Sequence, residues 1–194
     1  MISRIALELL SGMILTAQPR PVPVIPDSLA ADSYAVYSVL LNHPKFSHGN
    51  GGNEKLLIKD TTGFKTDKPE GCLHPPELYK SAIAEINRDA ERHLGEAYRL
   101  ERNFALSTPY ELLNDADAKL FEKERVLGIQ SGTVPLERFR GAIDLIEIGA
   151  VHFNRGRTVA AVRVGSWCGG LFGSWIWRVV EKKDGHWQEL ELDG

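Results

Sequence analysis

The chain is poor in cysteine, with only Cys72 and Cys168 among 194 residues. Two cysteines so far apart exclude a disulfide framework and a four-cysteine zinc site. They leave one long-range disulfide, which needs an oxidising compartment and Cα atoms within about 7 Å, or two buried thiols. No apolar run reaches the roughly 20 residues that cross a bilayer, so no transmembrane segment is expected. Neither sign of charge dominates: 23 Lys and Arg stand against 26 Asp and Glu, for a net charge of −3. Nucleic-acid binding draws on concentrated positive charge that neutralises phosphates. The basic residues here are interspersed with acids, so no nucleic-acid partner is expected. A serine-nucleophile elbow, a Walker loop, a His-Glu-x-x-His pattern and a calcium loop are all missing. These absences point to no cofactor and no resident metal.

What is present is the composition of one globular domain, with 43% hydrophobic and 25% charged residues. A chain of this length buries enough apolar surface to fold without covalent staples. Residues 1–17 have the outline of a degenerate secretory signal: Arg4, an apolar stretch over residues 5–15, then Ala17 with Pro19 beyond. Glu8 and Leu15 depart from that outline, and the alternative is an amphipathic helix docked on the domain. Residues 19–26 hold Pro19, Pro21, Pro23 and Pro26, which remove backbone donors and favour extended geometry. Residues 18–31 therefore read as a linker, and residues 32–194 as the domain.

Within that domain, Asp32 reads as the cap of a short helix to Leu41, with Tyr34, Tyr37 and Leu41 on one face. Residues 55–60 read as a strand. Pro75-Pro76 opens a helix to about Tyr98 with the stripe Tyr79, Ile83, Ile86, Ala90, Leu94 and Ala97. Glu85 with Arg88, and Asp89 with Arg92, are spaced for ion pairs on its wet face. Residues 109–125 fit another helix. The C-terminal part changes to period two. Turn signals at residues 154–157, where Gly156 suits positive φ, and at Asp184-Gly185 divide residues 142–192 into four strands. Pairing outward from Asp184-Gly185 sets Lys182 against Trp187, Val179 against Leu190, Arg178 against Glu191 and Trp177 against Leu192. The expected fold class is α+β, with helices in the N-terminal two-thirds packed on a C-terminal four-stranded antiparallel β-meander.

The run Cys168-Gly-Gly-Leu-Phe-Gly173 followed by Glu181-Lys-Lys-Asp-Gly-His-Trp187, with residues 148–158 before it, resembles a group of bacterial proteins with no known activity. Residues 34–41, 56–63 and 104–109 resemble the same group, so the likeness covers most of residues 32–190. The resemblance implies export and an α+β shape. Phe172 stands where the group's pattern has a second cysteine, so a local cysteine pair in this loop is not available.

Candidate chemistry is sparse. The loop over residues 166–173 is the most distinctive segment, and Trp167, Cys168, Gly169, Gly170 and Phe172 are its candidate binding residues. Its glycines permit close approach by a ligand, or alternatively by another strand. Cys168 with His152 is the one thiol–imidazole pairing to consider, against a buried structural thiol. His43, His48, Cys72 and His74 can ligate metal, but their spacing matches no zinc pattern. The leading functional expectation is a non-enzymatic exported domain that binds a partner protein or envelope component. The rivals are a thiol-dependent or hydrolytic enzyme using Cys168 and a histidine, and a cytoplasmic inhibitor or immunity-like interaction protein.

Overall fold

The computed structural model describes residues 21–43, 54–63, 75–131, 136–169 and 172–190. Pro26 stands at the N-cap of α1 (Asp27–Leu41), where a missing N–H costs nothing, and Asp27 lies in the first turn. The elements then run β1 (Leu56–Lys59), a 3-10 turn (Glu77–Tyr79), α2 (Lys80–Arg92), β2 (Tyr110–Leu113), α3 (Asp115–Ser131) and a second 3-10 turn (Glu137–Phe139). They finish with β3 (Leu145–Ile148), β4 (His152–Phe153), β5 (Val159–Gly169), β6 (Phe172–Lys183) and β7 (His186–Glu189).

The fold class corrects the expected four-stranded meander. The sheet has seven strands in the order β2-β1-β3-β5-β6-β7, with β4 also paired to β5, and it curls into a half-barrel. It is mixed: β1 runs parallel to both β2 and β3, and the remaining pairs are antiparallel. The physical reason lies in β1, whose Leu56, Leu57 and Ile58 are all fully buried. A strand buried on both faces needs a neighbour along each edge, and parallel neighbours come from distant parts of the chain without a turn to announce them.

Three further differences have local causes. Residues 110–113 form a strand, not the start of a helix. Asn114 ends the strand and caps α3, its Oδ1 accepting the N–H groups of Ala116 at 2.9 Å and Asp117 at 3.0 Å. The single strand expected over residues 143–153 is two, because the chain breaks at Gly149 and Ala150 before pairing again with β5. The expected loop over residues 166–173 is the paired ends of β5 and β6, with a register shift between Trp167 and Gly169. The expected linker also shortens: α1 begins at Asp27, Ile25 is buried, and the Arg99 N–H donates to the Pro23 carbonyl at 2.6 Å.

Helices cover both faces of the sheet. Ile58, Ile146, Ala160, Val162, Val164 and Val180 pack with Tyr34, Tyr37 and Leu40 of α1. On the opposite face Leu57 and Leu145 pack with Phe121 of α3, and Val159, Ala161 and Val179 with Ile83 and Ile86 of α2. Side chains alternate across a strand, so the odd and even residues of β5 serve different helices.

The β6–β7 hairpin has the register read from its turn: Lys182 faces Trp187, and the Leu190 N–H donates to the Val179 carbonyl at 2.8 Å. Asp184 and Gly185 both take positive φ, 52° and 83°, as a primed turn requires. The hairpin face that carries Lys182 and Trp187 is covered by α1. Trp187 Nε1 and Lys182 Nζ both donate to Asp32 Oδ1, at 3.1 and 2.8 Å. Asp32 is thus a clamp between α1 and β7, not a cap. Glu191 and Leu192 lie outside the described residues, and Arg178 pairs with Glu189 at 2.8 Å.

Candidate functional site

β4 is two residues long and pairs only with β5, leaving an edge. The helices α1 and α2 approach that edge from opposite faces of the sheet and do not close over it. A cavity of about 630 Å³ remains between them. Its apolar wall comes from Ile25, Leu29, Val151 and Phe153, and its polar wall from the wet face of α2, with Glu85, Arg88, Asp89 and Arg92.

The turn before β5 closes one end. Asn154 Oδ1 accepts the N–H groups of Thr158 and Val159 at 2.8 and 3.0 Å, which holds the turn in shape. The positive φ expected at Gly156 falls on Arg157, at 51°. The Arg155 N–H donates to Glu85 Oε2 at 2.8 Å, and Arg157 Nη1 donates to the Ser28 carbonyl at 2.6 Å. The turn thereby ties α2 to α1 across the cavity mouth. At the floor, the Tyr37 hydroxyl donates to the Gly149 carbonyl at 3.0 Å and fixes the chain just before β4.

His152 lines the wall and is only 8% exposed. Its Nδ1 lies 3.2 Å from Asp89 Oδ2, and its ring packs against Trp177 at 6.2 Å between centroids. Asp89 also meets Arg92 Nη2 at 3.4 Å and His93 Nε2 at 3.7 Å. Burial works to raise the Asp89 carboxyl, but the hydrogen bond and charge of His152, aided by His93 and Arg92, hold it below the ordinary carboxylate range. At the far end the Tyr98 hydroxyl donates to Glu96 Oε2 at 2.7 Å; burial, then that carboxylate, pushes Tyr98 up to about 12.

The residues singled out in the sequence lie elsewhere. Trp167 points into the core against Phe121, 6.4 Å between ring centroids at 74°. Cys168 is half-buried on β5, and its carbonyl accepts Arg125 Nη2 at 3.2 Å. Gly169 pairs with Phe172 across the hairpin end. Gly170 and the Phe172 side chain lie outside the described parts. His152 faces Ala161, seven residues before Cys168 along β5, which separates the two by roughly 23 Å at ~3.3 Å per residue. The thiol–imidazole pairing is therefore removed. Cys72, His48 and His74 lie outside the described residues, so the metal constellation and the Cys72–Cys168 bridge do too. Among the described residues no group of three or more His, Cys, Asp or Glu gathers as a metal site.

Asp89, Arg88, His93 and Arg155 carry the site, and the sequence reading gave none of them that role. For Arg88 and Asp89 the signal was the dense charge on the wet face of α2, which spacing alone assigns to surface ion pairs. The Asp89–Arg92 pair does form. Glu85 instead takes the Arg155 backbone. Among the described residues no helix is long and apolar enough to cross a membrane. Compared with known proteins, the chain matches no family model, no curated protein and no solved structure.

Proposed function

We propose that this chain is a non-enzymatic binding domain, exported from the cell, whose ligand site is the cavity between α1, α2 and β4. The observation that carries the reading is the cavity itself, about 630 Å³ with one apolar and one charged wall. Small-molecule sites are concave, roughly 300–1,000 Å³, and combine an apolar lining with a few placed polar groups. Export rests on the outline of residues 1–17, the proline-rich stretch after it and the resemblance over most of residues 32–190. The natural partner is then an envelope component or a molecule met outside the cytoplasm. A methyl and amide NMR screen with small fragments tests the site: hits should shift Leu29, Val151 and His152, and hits that never touch this lining would sink the reading. N-terminal sequencing of the protein from its native host tests export. An intact Met1 with residues 1–17 present would favour the cytoplasmic interaction protein.

One observation favours a second reading, a hydrolase of a different kind from the cysteine enzyme. His152 is oriented by Asp89 at the cavity wall, an arrangement that serves a general base acting on water. Turnover of a simple ester by the wild type, lost in His152→Gln, would support it.

A further inference from the structure

We infer that the cavity takes a small amphiphilic anion, with its apolar body on Ile25, Leu29, Val151 and Phe153 and its carboxylate or phosphate between Arg88 and Arg155. The inference rests on the cavity being a ligand site. Its basis is the way the charges around the cavity are already used.

Four arginines line the cavity: Arg88, Arg92, Arg155 and Arg157. Two are engaged, Arg92 with Asp89 and the Arg88 carbonyl, and Arg157 with the Ser28 carbonyl. Arg155 is fixed by its backbone to Glu85, one helical turn before Arg88. Its backbone therefore sits one helical turn from Arg88, at the end of the cavity where the turn ties the two helices together. No ion pair among the described residues joins either guanidinium to an acid. Three acids line the cavity, and each has a partner. Asp89 faces His152, His93 and Arg92, Glu85 accepts the Arg155 N–H, and Glu91 is engaged as well.

The cavity lining as a whole, with four arginines against the three acids Glu85, Asp89 and Glu91, is formally positive even though the whole chain carries a net charge of −3. A guanidinium presents a planar fork of donors that matches carboxylate and phosphate oxygens, and two forks can hold one anion. The apolar wall opposite has nothing to offer a fully polar ion such as inorganic phosphate, which selects a ligand with a hydrocarbon part. A cationic amphiphile would meet the same apolar wall and a lining with more arginines than acids, so it is disfavoured.

Full-length protein titrated with decanoate, decyl phosphate, decanol and decyltrimethylammonium, all below their micelle concentrations, tests this. Calorimetry reads affinity, and methyl shifts at Leu29 and Val151 report the place of binding. One or both anions should bind at least roughly tenfold tighter than decanol, the scale of one charge-assisted contact. Decyltrimethylammonium should bind weakest. The tighter of the two anions identifies the head group as carboxylate or phosphate. Arg88 and Arg155 are exposed, so the double variant Arg88→Gln, Arg155→Gln should keep its melting temperature and its decanol affinity while losing the preference for anions. Decanol binding as tightly as the anions would overturn the inference and leave the cavity as a ligand site. A preference that survives in the double variant would also overturn it. If no probe shifts Leu29 or Val151, the ligand-site reading fails as well.

Discussion

Strand β5 ends in two different places. At one end Trp167 packs with Phe121 and Phe139 of the α3 side, in a cluster that includes the fully buried Leu57 and Leu113. At the other, Ala160 and Ala161 pair with β4 beside a cavity lined by arginines and a histidine–aspartate pair. The first end carries the unusual residues, with tryptophan, cysteine and glycines in one short run. The second is assembled from ordinary residues between positions 25 and 157. Rare residues mark the first because close packing of aromatic rings and strand ends demands particular shapes. The second is hollow because two helices on opposite faces cannot both cover a two-residue edge strand.

The contrast is sharpest in core substitutions. Phe121 is fully buried between Phe139 and Trp167. Phe121→Ala should cost about 3–5 kcal/mol in urea unfolding. Phe153→Ala removes an equal side chain from a wall that already borders open space, and should cost clearly less. Equal losses would erase the distinction between a packed end and a hollow one.

An intermediate effect comes from the clamp that attaches α1 to the hairpin. Asp32→Asn weakens charge-assisted bonds from Lys182 and Trp187 and should cost about 1–3 kcal/mol at neutral pH. Burial works to raise the Asp32 carboxyl, but those two bonds and the charges of Lys182 and Arg157 hold it below its ordinary value of 3.8. A carboxylate lowered by folding stabilises the native state above its unfolded value and loses that contribution as pH falls through the folded one. Wild type should therefore lose stability more steeply below pH 3.8 than Asp32→Asn does in paired acid titrations. Parallel acid limbs would show that the clamp is not ionic.

Gly173→Ala should have a smaller effect. A Cβ there would sit 2.7 Å from Trp175 Cη2 and 3.4 Å from the Ser166 carbonyl oxygen. The Trp175 ring is partly exposed and can turn away, so a loss below about 1 kcal/mol is expected by thermal unfolding. A larger loss would mean the glycine run holds more of the fold than its contacts indicate. The smallest effect belongs to Cys168→Ala, which should leave ligand affinity at the cavity unchanged. Any change of several-fold would couple the two ends of β5.

The last hairpin was readable from the chain because its information is local: a primed turn at Asp184-Gly185 and period two on either side. The breaks at Asn114 and Gly149 had local signals as well, a capping side chain and a glycine, yet the apolar residues around them fit more than one period. The site was not readable. Asp89 and His152 stand 63 positions apart, and Arg88 and Arg155 come to line one cavity only across the fold, where Glu85 accepts the Arg155 N–H from the turn before β5.

By itself the sequence determined what depends on neighbours along the chain: a globular composition without disulfide framework or spanning run, the Ile83, Ile86 and Ala90 part of the expected stripe, though α2 stops at Arg92 and Leu94 is exposed, and the register of β6 with β7. Tertiary structure alone decided the parallel placement of β1 between β2 and β3, the burial of both sheet faces, and the cavity at the β4 edge. Those features join segments that are distant in sequence, and nothing in the spacing of residues along a chain encodes which distant surfaces will exclude water together.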